Sequence, residues 1–156
     1  MNPPEETIAG NRDPLSRIHA ALDGPLDRDE KLRLTVSILS ESAKHFTWTG
    51  IYLLEGETLI LHNQVGSPTP HERIPVGRGI CGLAARERRT VVVADVGSDP
   101  RYLACSLSTR SEIVVPIMRD GVVLGEIDVD SDRHDAFGEA DRVLLESVAA
   151  LVAPLL

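Results

Sequence analysis

The feature that most constrains this chain is a pair of runs, 111–118 and 122–130, separated by Arg119-Asp120-Gly121. In the first run the odd positions Ile113, Val115 and Ile117 are apolar. In the second they are Val123, Ile127 and Val129, with Gly125 between them. Side chains alternate faces along a strand, and cross-strand partners share a face. The spacing predicts a hairpin in which the apolar rows coincide, so paired residue numbers must sum to an even value. A three-residue loop at 119–121 meets that condition. It sets Met118 opposite Val122 and Glu112 opposite Asp128. A two-residue loop would set Glu112 opposite Val129 and mix the faces.

The opposite face then gathers acids. Glu112, Asp128 and Asp130 lie at the end away from the turn, with Glu126 one position nearer to it. Val114, Pro116, Val122 and Leu124 make the rest of that face apolar, so it is expected to be covered. Half-buried like charges raise one another's pKa or demand a cation. One reading is a solvated acidic edge. The other is a site for a bound ammonium group, with one carboxylic acid kept protonated as a proton donor.

The only two cysteines stand near this hairpin. Cys105 is on the loop leading into the first run, and Cys81 lies in Val76-Gly-Arg-Gly-Ile-Cys-Gly. A loop cysteine is usually inert, but Cys105 is placed at the mouth of the acidic pocket. Trp48 and Tyr52 are four apart on a predicted strand and share a face. They are either core packing or an aromatic wall around a ligand.

The remaining pattern predicts an α+β fold. Residues 1–14 carry three prolines and are expected to be a loose tail, with a single domain over 15–156. Helices are expected over 15–22 and 28–45, the second opened by a capping box of Asp27 and Glu30. Strands 48–54 and 58–65 flank Glu55-Gly56 as a hairpin. A long loop over 66–79 leads to a short helix from about Ile80 to Glu87. A buried strand over 90–96, a second long loop over 97–110, the hairpin and a helix from Glu139 complete the chain. Hairpin connections favour a largely antiparallel central sheet with helices packed on it.

Totals narrow the function. A net charge of −8 argues against nucleic acid or an anionic membrane as the main partner. No apolar run reaches the length of a membrane span, and the first residues have no signal-peptide pattern. A cytoplasmic protein is expected, in a compartment that keeps thiols reduced. There is no CxxC and the five histidines show no ligand spacing, so no metal site is expected.

Together, His45-Phe-Thr-Trp48-Thr-Gly-Ile-Tyr52, Arg73-Ile-Pro-Val-Gly-Arg-Gly-Ile-Cys81-Gly, Ala104-Cys105, Ser111-Glu112-Ile-Val-Val-Pro, Gly125-Glu-Ile-Asp128-Val-Asp130-Ser and Phe137 resemble the free methionine-(R)-sulfoxide reductases. These are stand-alone GAF domains, and the resemblance runs from about residue 30 to the C-terminus. It implies a single GAF domain that reduces the free amino acid and needs no cofactor. It implies that Cys105 is the nucleophile and becomes a sulfenic acid. A second thiol then condenses with it, and thioredoxin reduces the disulfide. Glu112, Asp128 and Asp130 match the family's substrate carboxylates, and Trp48 and Tyr52 match its aromatic pocket. Family members typically carry a further cysteine ten residues before the Cys81 position, commonly the resolving one; here it is His71. Either Cys81 resolves Cys105, or an external thiol does, or recycling is impaired.

Two readings from other classes stay open. One is a GAF ligand-sensing module that kept the pocket but lost turnover. The other is a thiol redox sensor that switches through a Cys81–Cys105 disulfide. Homodimer formation through the N-terminal helical region is compatible with the sequence.

Overall fold

The computed structural model describes residues 13–103 and 108–156. Its elements are α1 (Pro14–Asp23), α2 (Arg28–Ser42), β1 (Trp48–Glu55), β2 (Thr58–Val65), β3 (Arg73–Pro75), α3 (Gly79–Glu87), β4 (Val91–Val93), β5 (Ser111–Arg119), β6 (Val122–Ser131) and α4 (Glu139–Val152). Six antiparallel strands form one sheet in the order β3-β2-β1-β6-β5-β4. This is the α+β, antiparallel architecture that the hairpin connections predict.

The sheet separates two cores. On one face α1, α2 and α4 cover Ile51, Ile113, Val115, Ile117, Ile127 and Val129 with Ile18, Leu32, Val36, Leu39, Leu145 and Val148. Each fully buried aliphatic side chain of this kind contributes about 1.5–3 kcal/mol. On the other face α3 and the loop around it cover Trp48, Tyr52, Val91, Val93, Val114 and Val123. The acids of β6 point to this second face.

The helix starts agree with their sequence signals. Asp27 Oδ1 accepts the Glu30 amide at 2.9 Å, and Glu30 Oε2 accepts the Asp27 amide at 3.1 Å. Asp13 caps α1 and Pro14 is its first residue, so the helix takes the last residue of the expected tail; residues 1–12 lie outside the described residues. Helix α2 stops at Ser42 instead of 45. The Ser40 and Ser42 hydroxyls donate back to the Ser37 and Leu39 carbonyls, and Ala43 is extended.

Three other expectations change. The loop 66–79 contains β3, a short edge strand on β2, despite its prolines. The expected buried strand 90–96 shortens to β4. That strand lies at the sheet edge with Val92 exposed, because Asp95 turns the chain by accepting the Gly97 amide at 3.0 Å. The third is the register of the β5–β6 hairpin. Its loop has two residues, Asp120 and Gly121, both at positive φ (53° and 75°), as a type I′ turn requires. Arg119 pairs with Val122 and Met118 with Val123. A bulge at Leu124 then restores even sums, so Ile117 pairs with Gly125 and Glu112 with Asp130, not Asp128. The bulge also moves Val123 onto the second face, away from the Ile113 row.

Candidate active site

Beyond the bulge every acid keeps the face that strand alternation predicts. Glu112 is directly opposite Asp130, Val114 opposite Asp128, and Pro116 opposite Glu126. On the other side of β6, Trp48 pairs with Asp130, Gly50 with Asp128 and Tyr52 with Glu126. Two aromatics and four acids thus share one patch of sheet.

Gly50 makes room for the aromatic part. A Cβ at this position would meet the Trp48 ring at 2.5 Å, so the indole lies over the glycine and beside Asp128. The indole N–H is fixed by Gln64 Oε1 and the Ser67 carbonyl, each at 2.9 Å. The Tyr52 hydroxyl donates to the His71 carbonyl at 2.8 Å. His71 therefore anchors the tyrosine through its backbone.

The acids are more deeply buried than the half-buried cluster expected from sequence: Glu126 and Asp128 are 0% exposed, Asp130 1% and Glu112 3%. Both oxygens of Glu126, both of Asp130 and Oδ1 of Asp128 lack a partner in hydrogen-bond geometry, although the Cys81 thiol lies near enough to Glu126, and the Thr109 hydroxyl to Asp130, to favour their ionised forms. Contacts with Glu112 and with the Cys81 thiol favour the Asp128 carboxylate, and burial outweighs them. Burial is the first cause of the raised pKa values of Asp128, Asp130 and Glu126; for the last two the Asp128 charge adds to it. Desolvation therefore outweighs the mutual repulsion that sequence reasoning put first.

Cys81 enters this cluster from the first turn of α3. Its thiol donates to Asp128 Oδ2 at 3.3 Å and lies 4.0 Å from Glu112 Oε1. Burial, followed by Asp128, Glu126 and Glu112, pushes the thiol far up, so Cys81 keeps its proton at neutral pH. It lacks the electropositive setting of an attacking thiolate. Cys105 lies outside the described residues. Gly79, at φ +66°, carries the Leu103 side chain against it. Leu103, Ile74, Gly79, Ile80, Cys81 and Glu112 enclose a space of about 10 Å³, the scale of a single water. Larger surface clefts lie beside Arg142 and beside Leu151, away from the acids.

The cluster sets the sign of a pH effect. Glu126, Asp128 and Asp130 ionise less readily in the fold than in the unfolded chain. Their contribution to stability is complete below the ordinary carboxyl range of about pH 4 and is lost as pH rises through the raised folded values. The surface carboxyls Asp29, Asp95, Asp99 and Glu146 are lowered instead, and act in the acid range. Urea unfolding of the ligand-free protein should therefore show stability falling by at least about 1 kcal/mol from pH 5 to pH 8, the equivalent of one pKa unit. A rise over that range would show that the buried acids ionise freely.

Sequence reasoning found the aromatics and acids but not the seat of Cys81 among them, because α3 reaches the cluster from a distant segment. Gly50 was missed as well. A glycine inside a strand pattern signals a close approach and would have pointed to the Trp48 ring.

Comparison with known proteins places the chain among its relatives. Residues 27–156 match the GAF domain family. The free methionine-R-sulfoxide reductase of Escherichia coli K12 is 32% identical over 156 residues, covering 100% of this chain and 92% of that protein. The structure of the type II free methionine-R-sulfoxide reductase from Thermoplasma acidophilum is 42% identical, with a TM-score of 0.80 over 82% of this chain and 91% of that one. The free methionine-R-sulfoxide reductase from Neisseria meningitidis, solved in complex with its substrate, is 33% identical, with a TM-score of 0.86 over 99% and 92%. With family model, sequence identity and backbone in agreement, this chain belongs to the GAF-domain free methionine-(R)-sulfoxide reductase family.

Proposed function

We propose that the protein reduces free L-methionine-(R)-sulfoxide to L-methionine in a thiol-reducing compartment, the cytoplasm. The observation that carries this reading is the buried group of Glu112, Asp128 and Asp130 beside Trp48, in which Asp128 Oδ1 has no hydrogen-bond partner. When ionised, such a group needs a cation, and the α-ammonium of a free amino acid supplies one. A methionine residue inside a protein has no such ammonium. In this reading Trp48 and Tyr52, which pair with Asp130 and Glu126 across β1 and β6, hold the methyl sulfoxide end. The enclosed space holds about one water, so substrate entry requires Leu103 to leave Gly79.

In this reading the Cys105 thiolate attacks the sulfoxide sulfur. A carboxylic acid of the cluster protonates the oxygen, which passes to Cys105 as methionine leaves. The sulfoxide gains two electrons and Cys105 becomes a sulfenic acid. A second thiol condenses with it, releasing water and forming a disulfide, and thioredoxin returns two electrons and two protons. Cys81 serves as that second thiol, with Asp128 Oδ2 as the acceptor of its proton. The ligand-sensing reading requires retention of the ligand without turnover, and the redox-sensing reading a Cys81–Cys105 disulfide without turnover.

The test is an assay with free L-methionine-(R)-sulfoxide, thioredoxin, its reductase and NADPH. Steady NADPH oxidation with methionine release is expected. Absence of both turnover and a single stoichiometric release would refute the reductase and favour a sensor. Cys81→Ser should keep the first methionine equivalent but slow recycling by about tenfold or more, a loss of about 1.4 kcal/mol in that step. Unchanged steady-state turnover would remove Cys81 from the resolving role and assign it to an external thiol.

A further inference from the structure

Cys81, Glu112 and Asp128 do more than line an ammonium site. One donor atom from each lies within 4.8 Å of the other two, and all three residues are buried. The Cys81 sulfur is 3.3 Å from Asp128 Oδ2 and 4.0 Å from Glu112 Oε1. Around tetrahedral zinc, metal–sulfur distances of about 2.3 Å and metal–oxygen distances of about 2.0 Å put sulfur and oxygen ligands about 3.5 Å apart. The observed separations bracket that value.

A second observation points to a missing cation. Asp128 Oδ1 and both oxygens of the fully buried Glu126 are without hydrogen-bond partners. Glu126 is close enough to act electrostatically on Cys81, and Asp128 on Glu126. The adjoining space beside Cys81 and Glu112 has room for a water as fourth ligand. The donors come from α3, β5 and β6, so no spacing along the chain reveals them. A thiolate ligand selects a borderline-soft ion over magnesium or calcium.

We propose that Cys81, Glu112 and Asp128 bind a zinc-like divalent cation, and that this cation and the substrate ammonium exclude one another. The metal site stands on the geometry alone; its competition with substrate rests on the function proposed above. Binding as a thiolate displaces the Cys81 proton, so it strengthens as pH rises. A metal-loaded protein is an inactive reductase that a chelator restores.

The test uses Cys105→Ser protein, in which Cys81 is the only thiol, titrated with cobalt(II) in place of zinc. A near-ultraviolet thiolate-to-cobalt charge-transfer band that saturates at one equivalent and is bleached by zinc is expected. Free methionine sulfoxide should bleach it too. Glu112→Gln and Cys81→Ala in the same background should each weaken cobalt binding by at least about tenfold, and the latter should remove the band. Absence of a band, or a band that survives Cys81→Ala, overturns the metal site. A band that free methionine sulfoxide leaves intact overturns the competition. Methionine release by metal-free wild-type protein tests the reductase separately, so the two failures are distinguishable.

Discussion

Replacing Cys105 by serine should lower methionine formation from free methionine-(R)-sulfoxide by at least about a thousandfold, some 4 kcal/mol of transition-state stabilisation. Neither steady turnover nor the first equivalent should survive. Serine keeps the size of the side chain but does not offer a comparable nucleophile at neutral pH. The reason to place the chemistry here and not at Cys81 is physical. Burial and three carboxylates hold the proton on Cys81, and its sulfur already donates to Asp128. Substrate should still bind the Cys105→Ser protein, which isothermal titration checks. A stoichiometric methionine release from this variant would move the nucleophile to Cys81 and overturn the assignment.

Asp128→Asn should separate function from stability in opposite directions. The carboxyl group is fully buried, Oδ1 has no partner, and Oδ2 accepts the Cys81 thiol. Asparagine keeps the shape and removes the charge. Breaking one partner of a buried ion pair costs about 3–5 kcal/mol, so kcat/KM should fall by at least about a hundredfold. The ligand-free protein should become more stable by at least about 1 kcal/mol at pH 8, the equivalent of one pKa unit. Its stability should also depend less on pH. Steady-state kinetics and urea unfolding read the two effects. A variant that loses both stability and activity would make Asp128 a structural residue, and unchanged kinetics would remove it from the site.

These two residues also show what strand alternation can and cannot deliver. The face of every acid in β6 was legible because the apolar rows of the two strands must coincide. The partner of each acid was not, since the bulge at Leu124 adds a residue that leaves no mark in the periodicity. The Asp-Gly pair at 120–121 was the one available sign of a two-residue turn, and weight on it would have required a bulge to restore the faces. The pairing of β1 with β6 joins the two ends of the domain, and nothing local announces it. It is this pairing that sets Trp48 beside Asp130 and lays the indole over Gly50. Glu126 was assigned the correct face but no role, because alternation does not reveal that its carboxyl group is fully buried without a partner in hydrogen-bond geometry.

In the proposed reaction the buried acids read the ammonium of a free amino acid beside a reactive thiol. The most direct measurement compares single-turnover methionine release from L-methionine-(R)-sulfoxide and from its N-acetyl derivative. Both carry the same sulfoxide, and only the first carries the ammonium. One equivalent per protein from the free amino acid and none from the N-acetyl compound is the predicted result. Equal release from both, or none from the free amino acid, would contradict it.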